Sequence, residues 1–255
     1  MKPVLLAGET FLVTSTVARG YDVGSSHQYV NGALQFIEAL AARQIDVRQI
    51  GGERCERDFP TSLEALRDYS VVVLSDVGAL SLYFSPETRA GLPSVDRLEL
   101  LRKWVEGGGG LIMAGGYTSF QGMDGMARYH DTPVEDCLPV NCLPHSDGLE
   151  APEGLTPRIV PGRGAHPILR DIPSVFPLIM GMNKVVLGGG APESILLCHH
   201  RGREHPLLAC QSYGKGRSIA WMTDIGPHWL SRDFLNWRHY GQFMENMLSW
   251  ASGQD

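Results

Sequence analysis

The chain has 255 residues, of which 43% are hydrophobic and 20% are charged. This is ordinary globular usage and excludes a disordered, collagen-like or coiled-coil protein. The net charge of −6 argues against nucleic acid as a partner, because no basic surface is expected to neutralise phosphates.

Strand and helix signals alternate through the N-terminal half. Short apolar runs at residues 4–8, 71–74 and 111–114 predict strands, and the first is typical of a strand buried on both faces of a parallel sheet. Residues 46–50, which end at Gly51-Gly52, predict a further strand. Helical spacing predicts helices over residues 26–43, 62–66 and 95–105. Because crossover connections are right-handed, this order predicts a parallel sheet with helices on both faces.

The pattern changes at about residue 117. Residues 117–190 are rich in proline and glycine and predict an irregular insertion that covers the sheet edge. Strand signals return at 194–198, 207–211 and 217–222, with a hairpin turn at residues 213–216 and a last helix from Tyr240. We therefore expect a single domain over residues 1–255 whose sheet has a mixed C-terminal edge.

Polar residues follow several of the predicted strands. Ligands bind outside the carboxyl ends of parallel strands, where loops and helix N-termini converge. The candidate ligand-binding residues there are Glu9, Ser75, Asp76 and Gly116. The candidate catalytic residues are Tyr117, Ser119, Asp224 and His228. Taken singly, each is more typical of a cap or a turn, so the prediction depends on their sharing one rim.

The segment Gly115-Gly116-Tyr117-Thr118-Ser119 is similar to a nucleophile elbow, because glycines allow a sharp turn after a strand. Tyr117 is expected at its tip. A phenol, with an ordinary pKa of about 10, is a poor substitute for a cysteine thiolate at neutral pH. Ser119 is the nearest hydroxyl, and such residues more often cap the next helix.

Four segments carry a family resemblance: Gly-Leu-Ile-Met-Ala-Gly-Gly-Tyr at 110–117, Ser-Phe-Gln-Gly at 119–122, Arg-Tyr at 128–129 and Thr-Asp-Ile-Gly-Pro-His-Trp at 223–229. Together with the order of elements, they resemble the putative glutamine amidotransferase family of the class I glutamine amidotransferase-like superfamily. The resemblance covers nearly the whole chain. It implies an α/β fold of three layers with a flavodoxin-like sheet, and a site around the elbow.

The sequence departs from the active members of that superfamily. They carry cysteine at the elbow tip, within Gly-x-Cys-x-Gly, and a His-x-Glu pair after a late strand. Here Tyr117 stands at the tip and Thr223-Asp224 follows the late strand. Ordinary glutaminase activity through a thioester is therefore not expected, because none of the five cysteines falls on an elbow.

Two histidine-containing segments have open interpretations. Cys198 and His200 could face a common metal on one side of a strand, but residues 201–204 are more typical of an exposed hairpin tip, and no metal is expected. His228 lies four residues after Asp224, whose carboxylate could orient the imidazole for proton transfer. Packing of a loop histidine against Trp229 is an equal alternative.

Two functions remain open. The first is a non-thiol hydrolase of an amide or sugar-derived substrate, with His228 and Asp224 as acid and base and the elbow N–H groups as an oxyanion site. The second is a non-catalytic binding or assembly module with the same fold. In both cases we expect a small polar ligand, no cofactor, no nucleic acid or membrane partner, a cytoplasmic location, and a homo-oligomer as the default state.

Overall fold

The computed structural model describes residues 1–188 and 190–254. Within these residues the strands are β1 (Val4–Gly8), β2 (Thr10–Arg19), β3 (Asp22–Asn31), β4 (Val47–Ile50), β5 (Val71–Ser75), β6 (Gly110–Ala114), β7 (Val140–Cys142), β8 (Gly148–Leu155), β9 (Arg158–Ile159), β10 (Ile179–Asn183), β11 (Val185–Leu187), β12 (Glu193–His200), β13 (Arg203–Tyr213) and β14 (Gly216–Trp221). The α-helices are α1 (Leu34–Ala41), α2 (Gly52–Asp58), α3 (Leu63–Leu66), α4 (Ala79–Tyr83), α5 (Pro86–Arg89), α6 (Arg97–Glu106), α7 (Pro133–Cys137), α8 (Arg232–Leu235) and α9 (Tyr240–Ala251).

The central sheet has eight strands in the order β4-β1-β5-β6-β14-β13-β12-β9. The first five strands of this order are parallel, and they follow the flavodoxin-like pattern in which the first strand lies between the second and the third. The last three pair antiparallel. The predicted three-layer, flavodoxin-like α/β fold with a mixed C-terminal edge is confirmed.

The strands at the centre of the sheet are apolar because helices cover both faces. All five residues of β1, β5 and β6 are buried. Helix α6 begins where the Asp96 side chain accepts the N–H groups of Leu98 and Glu99, and it buries Leu101 and Trp104. The four strands predicted in the N-terminal half are β1, β4, β5 and β6, and their ends lie within one residue of the predicted positions.

The predicted helix over residues 26–43 is wrong in its N-terminal part, because residues 10–31 form strands. They form a two-stranded antiparallel hairpin, β2 and β3, and α1 begins only at Leu34. Tyr29 has helical spacing to Ala33, but the side chain of Asn31 accepts the N–H of Ala33 at 2.9 Å and starts a turn between strand and helix. The Ser- and Thr-rich stretch before it is mostly exposed on both faces of the hairpin.

The stretch 117–190 is more regular than predicted. Its described residues include α7 and five short strands, with β8 paired to β10 and β7 paired to β11. Strand β9 joins the edge of the central sheet beside β12. Prolines and glycines interrupt these strands often enough to hide their alternation in the sequence. None of the helices in the described part of the chain is long and apolar enough to cross a membrane.

Candidate functional site

The ends of β1, β5, β6 and β14 bring polar side chains to one rim of the sheet. An open pocket of about 330 Å³ lies there, lined by Phe11, Asp76, Gly116, Tyr117, Asp224, Pro227 and His228. A volume near 300 Å³ is at the small end of ligand pockets. The structure therefore brings predicted residues from distant strands together at one rim.

Three carboxylates, which we call the acidic floor, lie together at this rim; Asp76 and Asp224 line the pocket, and Glu9 is buried beside them. Oxygens of Glu9, Asp76 and Asp224 all lie within 4.8 Å of one another. Glu9 is 2% exposed and Asp224 is 6% exposed. The chain turns sharply where these residues leave the strands, since both Glu9 (φ 57°) and Asp76 (φ 45°) have left-handed backbone conformations.

Burial and mutual repulsion favour the protonated form of these acids. Burial, followed by the charges of Asp224 and Asp76, raises the pKa of Glu9 well above its usual range. Burial and then Asp76 raise the pKa of Asp224 to about 8. Burial also raises the pKa of Asp76, against the lowering effects of its hydrogen bonds to Thr118 and of the nearby His228.

The elbow after β6 turns at Gly116, whose φ is +144°. Tyr117, at the predicted tip, is not among the described residues with a positive φ. Asn183 fastens the turn, because its side-chain oxygen accepts the Gly116 N–H at 3.0 Å and its amide group donates to the Gly116 carbonyl at 3.1 Å. A Cβ at Gly116 would lie 2.4 Å from Asp76 Oδ1, so the turn requires glycine.

The elbow N–H groups are largely engaged within the protein. The N–H of Gly116 donates to Asn183, and the N–H of Thr118 donates to Asp76 Oδ1 at 2.6 Å. The N–H of Ser119 donates to the Gly116 carbonyl at 3.4 Å. These three N–H groups already have acceptors within the protein, so they do not form the oxyanion site expected at the elbow.

The phenol of Tyr117 belongs to a polar cluster on the pocket wall. Its hydroxyl donates to Glu150 Oε1 at 2.9 Å and lies 3.4 Å from His228 Nε2. The indole N–H of Trp229 donates to the same Glu150 oxygen at 2.9 Å, and His228 Nε2 lies 3.5 Å from Glu150 Oε2. Burial and the hydrogen bond to Glu150 raise the pKa of Tyr117 to about 12, which keeps the phenol neutral and a poor nucleophile.

Asp224 does not orient the imidazole of His228 in the way the sequence suggested. Asp224 Oδ2 accepts the backbone N–H of Trp229 at 2.8 Å. The backbone of His228 also favours the charged form of the Asp224 carboxylate and so lowers its pKa. The carboxylate that contacts the imidazole is Glu150. The ring of His228 also packs against Trp229, with ring centroids 6.2 Å apart, as the alternative interpretation expected.

Two predicted site hydroxyls are buried in supporting positions. Ser75 donates to Glu9 Oε1 at 2.6 Å, and Ser119 accepts the Asp76 N–H at 3.0 Å. Neither serine is more than 2% exposed. Both therefore hold the acids in place, and a direct role for Ser119 in catalysis stays a prediction.

Sequence reasoning missed Glu150, Asn183 and Asp147. Glu150 lies on β8 and Asn183 ends β10, in the stretch that we expected to be irregular. Asp147 accepts the N–H groups of Gln121 and Gly122 and an amide hydrogen of Asn183. A weak signal was present for Glu150 and Asn183, which have apolar neighbours in a segment too apolar to be a linker.

The thiols and the other candidate metal ligands lie elsewhere. All five cysteines are free and buried. Cys198 is paired with His205 in the β12–β13 hairpin, whose tip is residues 201 and 202. Among the described residues, acidic and histidine side chains are close enough to share a cation in two groups, one formed by Glu9, Asp76 and Asp224 and one by His130, Asp131 and Glu135.

Comparison with known proteins identifies the family. A family model described as "Putative glutamine amidotransferase" matches residues 3–253. The chain belongs to this family. Among curated proteins, none matches the sequence. The family assignment agrees with the resemblance that the elbow and the 223–229 segment carry.

Two solved structures of Salmonella typhimurium proteins are similar to this amidotransferase-like chain over its whole length. Cytoplasmic protein STM3548 is 30% identical, with a TM-score of 0.91, and the alignment covers 98% of this chain and 99% of that one. Cytoplasmic protein STM1381, from strain LT2, is also 30% identical, with a TM-score of 0.90 and the same coverage. A ThuA-like protein from Bacteroides uniformis is 12% identical over 98% of this chain and 91% of its own, and its TM-score of 0.53 shows a related fold alone.

Proposed function

We propose that this amidotransferase-like protein, which has no cysteine at its elbow, binds a small polar molecule in the rim pocket. The observation that carries the proposal is one opening lined by two acids of the floor, Asp76 and Asp224, and by Tyr117 and His228. The side chains of Tyr117 and His228 both contact Glu150. Carboxylates accept hydrogen bonds, so the ligand is expected to carry hydroxyl or ammonium donors. Phe11 and Pro227 add an apolar surface for its carbon skeleton.

Binding is favoured over hydrolysis by the state of the elbow. An acyl-transfer site needs free N–H donors where negative charge develops, and those of Gly116, Thr118 and Ser119 are occupied. The hydroxyl of Ser119 is buried against the Asp76 N–H. Hydrolysis by His228 without a thiol therefore stays the weaker form of the proposal.

The indole of Trp229 offers a direct test. Its N–H donates to Glu150 beside the pocket, so a bound molecule should shift the indole signal in a ¹H–¹⁵N NMR spectrum. The chain has five tryptophans, and Trp229→Phe assigns the signal. The panel consists of monosaccharides, polyols, amino acids and small amines, measured at millimolar concentration in the presence of EDTA.

We expect at least one compound to shift the Trp229 signal of the wild type. Tyr117→Phe removes the wall hydroxyl and should weaken the response, whereas Tyr83→Phe, at a half-exposed tyrosine of α4 outside the pocket, should leave it unchanged. A panel in which no compound moves the signal contradicts the proposal. An equal response in Tyr117→Phe also contradicts it.

An assembly role has a specific observation in its favour. The β2–β3 hairpin exposes Leu12 (71%), Val17 (53%), Tyr21 (106%) and Val23 (65%). A two-stranded ribbon is at best marginally stable alone, and this one carries only Arg19 and Asp22 as charged residues, paired with each other in register. We propose that a second copy of the chain covers it. Light scattering should give a dimer or higher oligomer, and Leu12→Ser with Val23→Ser should give a monomer.

The remaining expectations also belong to the proposal. A cytoplasmic location is supported by the two Salmonella relatives, which are named cytoplasmic proteins. One domain over residues 1–255 is supported by the family model, which runs from residue 3 to 253. A fluorescent fusion and limited proteolysis test these two statements, and an early cut that releases two stable fragments contradicts the second.

A further inference from the structure

We propose that Glu9, Asp76 and Asp224 bind a divalent cation of the kind that prefers oxygen ligands, Mg²⁺, Mn²⁺ or Ca²⁺, at the floor of the rim pocket. This inference extends the proposed function, and it rests on the rim pocket being a binding site. The three carboxylates come from the ends of β1, β5 and β14, so strands at the centre of the sheet fix their positions.

The spacing of the oxygens suits one shared ion. The three ligand atoms lie within 4.8 Å of one another. Oxygens bound to one cation at about 2.0 to 2.6 Å can be separated by at most about 4 to 5 Å. A small movement of side chains is therefore enough to bring all three oxygens into contact with the same ion.

An oxygen of Asp224 lacks a partner. Asp224 is 6% exposed, and its Oδ2 accepts the Trp229 N–H at 2.8 Å, while its buried Oδ1 has no hydrogen-bond partner among the described residues. Buried carboxylate oxygens are nearly always hydrogen-bonded or bound to a metal. Because Asp224 lines the pocket, an ion at the floor can be the missing partner of Oδ1.

Two glycines make room for the acidic floor. A Cβ at Gly32 would lie 2.6 Å from Glu9 Oε2, and a Cβ at Gly116 would lie 2.4 Å from Asp76 Oδ1. Any other residue at these positions would push a carboxylate away from the cluster. The backbone around the pocket is thus shaped to admit the carboxylates of Glu9 and Asp76.

The floor is also short of positive charge from the protein. Ser75 donates a neutral hydrogen bond to Glu9, and Thr118 donates two to Asp76. The nearby imidazole of His228 favours the charged form of Asp76, but it is a single group beside three acids. Three acids in a low-dielectric site repel one another strongly, and one divalent ion reduces that repulsion more than a single shared proton can.

Binding of Mn²⁺ to the EDTA-treated full chain tests the proposal by loss of the free-ion EPR signal. The isosteric variants are Asp224→Asn and Glu9→Gln, and Asp131→Asn in the second acidic group is the matched control. We expect one Mn²⁺ site that persists in Asp131→Asn. Its Kd should rise at least about tenfold in Asp224→Asn, since even residues that only support metal ligands are worth about 10- to 100-fold.

Circular dichroism and urea unfolding must show that the variants fold. The proposal is overturned if wild type binds no Mn²⁺, if Asp224→Asn and Glu9→Gln bind as wild type does, or if only Asp131→Asn loses the ion. It is also overturned if methylammonium, but no divalent ion, shifts the Trp229 signal in a manner sensitive to Asp224→Asn. The EDTA-containing NMR panel separates the two proposals: a compound that shifts Trp229 there, together with no Mn²⁺ binding, leaves the ligand pocket and removes the cation.

Discussion

The hydroxyl of Tyr117 donates to Glu150 Oε1 at 2.9 Å, which joins the elbow after β6 to a strand of the 117–190 stretch. The same oxygen accepts the indole N–H of Trp229 at 2.9 Å. The residue at the expected nucleophile position is thus held as a neutral hydrogen-bond donor on a pocket wall. This arrangement places the elbow on the wall of the pocket that we propose binds a ligand.

Loss of the Glu150 carboxylate should loosen the pocket wall. Glu150→Ala leaves the Tyr117 hydroxyl and the Trp229 indole without their acceptor, and we expect the free energy of unfolding to fall by about 1 to 2 kcal/mol. Glu150→Gln keeps one acceptor oxygen and should cost less. Urea denaturation measures both, with Glu153→Ala as a control on the same strand β8. Equal stabilities for Glu150→Ala and Glu153→Ala would show that the wall contributes nothing.

The turn at Gly116 should not tolerate a side chain. Gly116→Ala places a Cβ 2.4 Å from Asp76 Oδ1 at a φ of +144°, and we expect a loss of at least about 1 to 3 kcal/mol from backbone strain alone. Gly24→Ala is the matched control, because a Cβ there meets nothing within 4 Å. Thermal unfolding compares them. Similar unfolding temperatures for the two variants would contradict the described turn.

The acidic floor predicts a pH dependence of stability. The pKa of Asp224 is raised to about 8 in the folded chain, against about 3.9 when unfolded. The folded state therefore binds more protons, so this contribution is fully present below about pH 4 and is lost as the pH rises towards 8.

Asp224→Asn removes that ionisation. In EDTA, the variant should gain stability relative to wild type as the pH rises, by at least about 1 kcal/mol between about pH 5 and about pH 9. Urea unfolding of both proteins at each pH gives the difference, and Asp233→Asn in α8 controls for the loss of an acid elsewhere. A difference that is constant with pH would place Asp224 outside an acidic cluster.

The cysteines should be unreactive in the folded chain. Burial raises the pKa of the thiols of Cys55, Cys137, Cys198 and Cys210 to about 12 and that of Cys142 well above its usual range. We expect slow reaction with a disulfide reagent at neutral pH, five thiols after unfolding, and no labelling by an electrophilic glutamine analogue. Rapid modification of one native thiol would reopen the possibility of a thioester mechanism.

Sequence patterns predicted the parts of the fold in which burial is uniform. The runs that became β1, β5 and β6 are apolar throughout, because helices cover both of their faces. The carboxyl ends of these strands also located Glu9, Asp76 and Tyr117 at one rim, since parallel strands end on the same side. Topology alone was enough for that part of the site.

Long-range contacts decided the rest. The helical spacing of Tyr29 and Ala33 continued into a segment that forms β3, because an exposed hairpin leaves little hydrophobic pattern to read. Glu150 and Asn183 reach the elbow from short strands interrupted by proline and glycine, and their pairing depends on tertiary contacts. Spacing in the sequence likewise pointed to Asp224 as the partner of His228, whereas the backbone directs Asp224 to the Trp229 N–H.

Crystals soaked with the same panel of small polar molecules test the central claim most directly. The account predicts electron density for a bound molecule between Asp76, Tyr117 and His228, with its donors towards the carboxylates. A second pocket, of about 320 Å³, is lined by Lys2, Arg67 and Trp104, away from the rim, and serves as an internal comparison. Molecules bound only in that second pocket, or an empty space beside Tyr117 in every soak, would contradict the account.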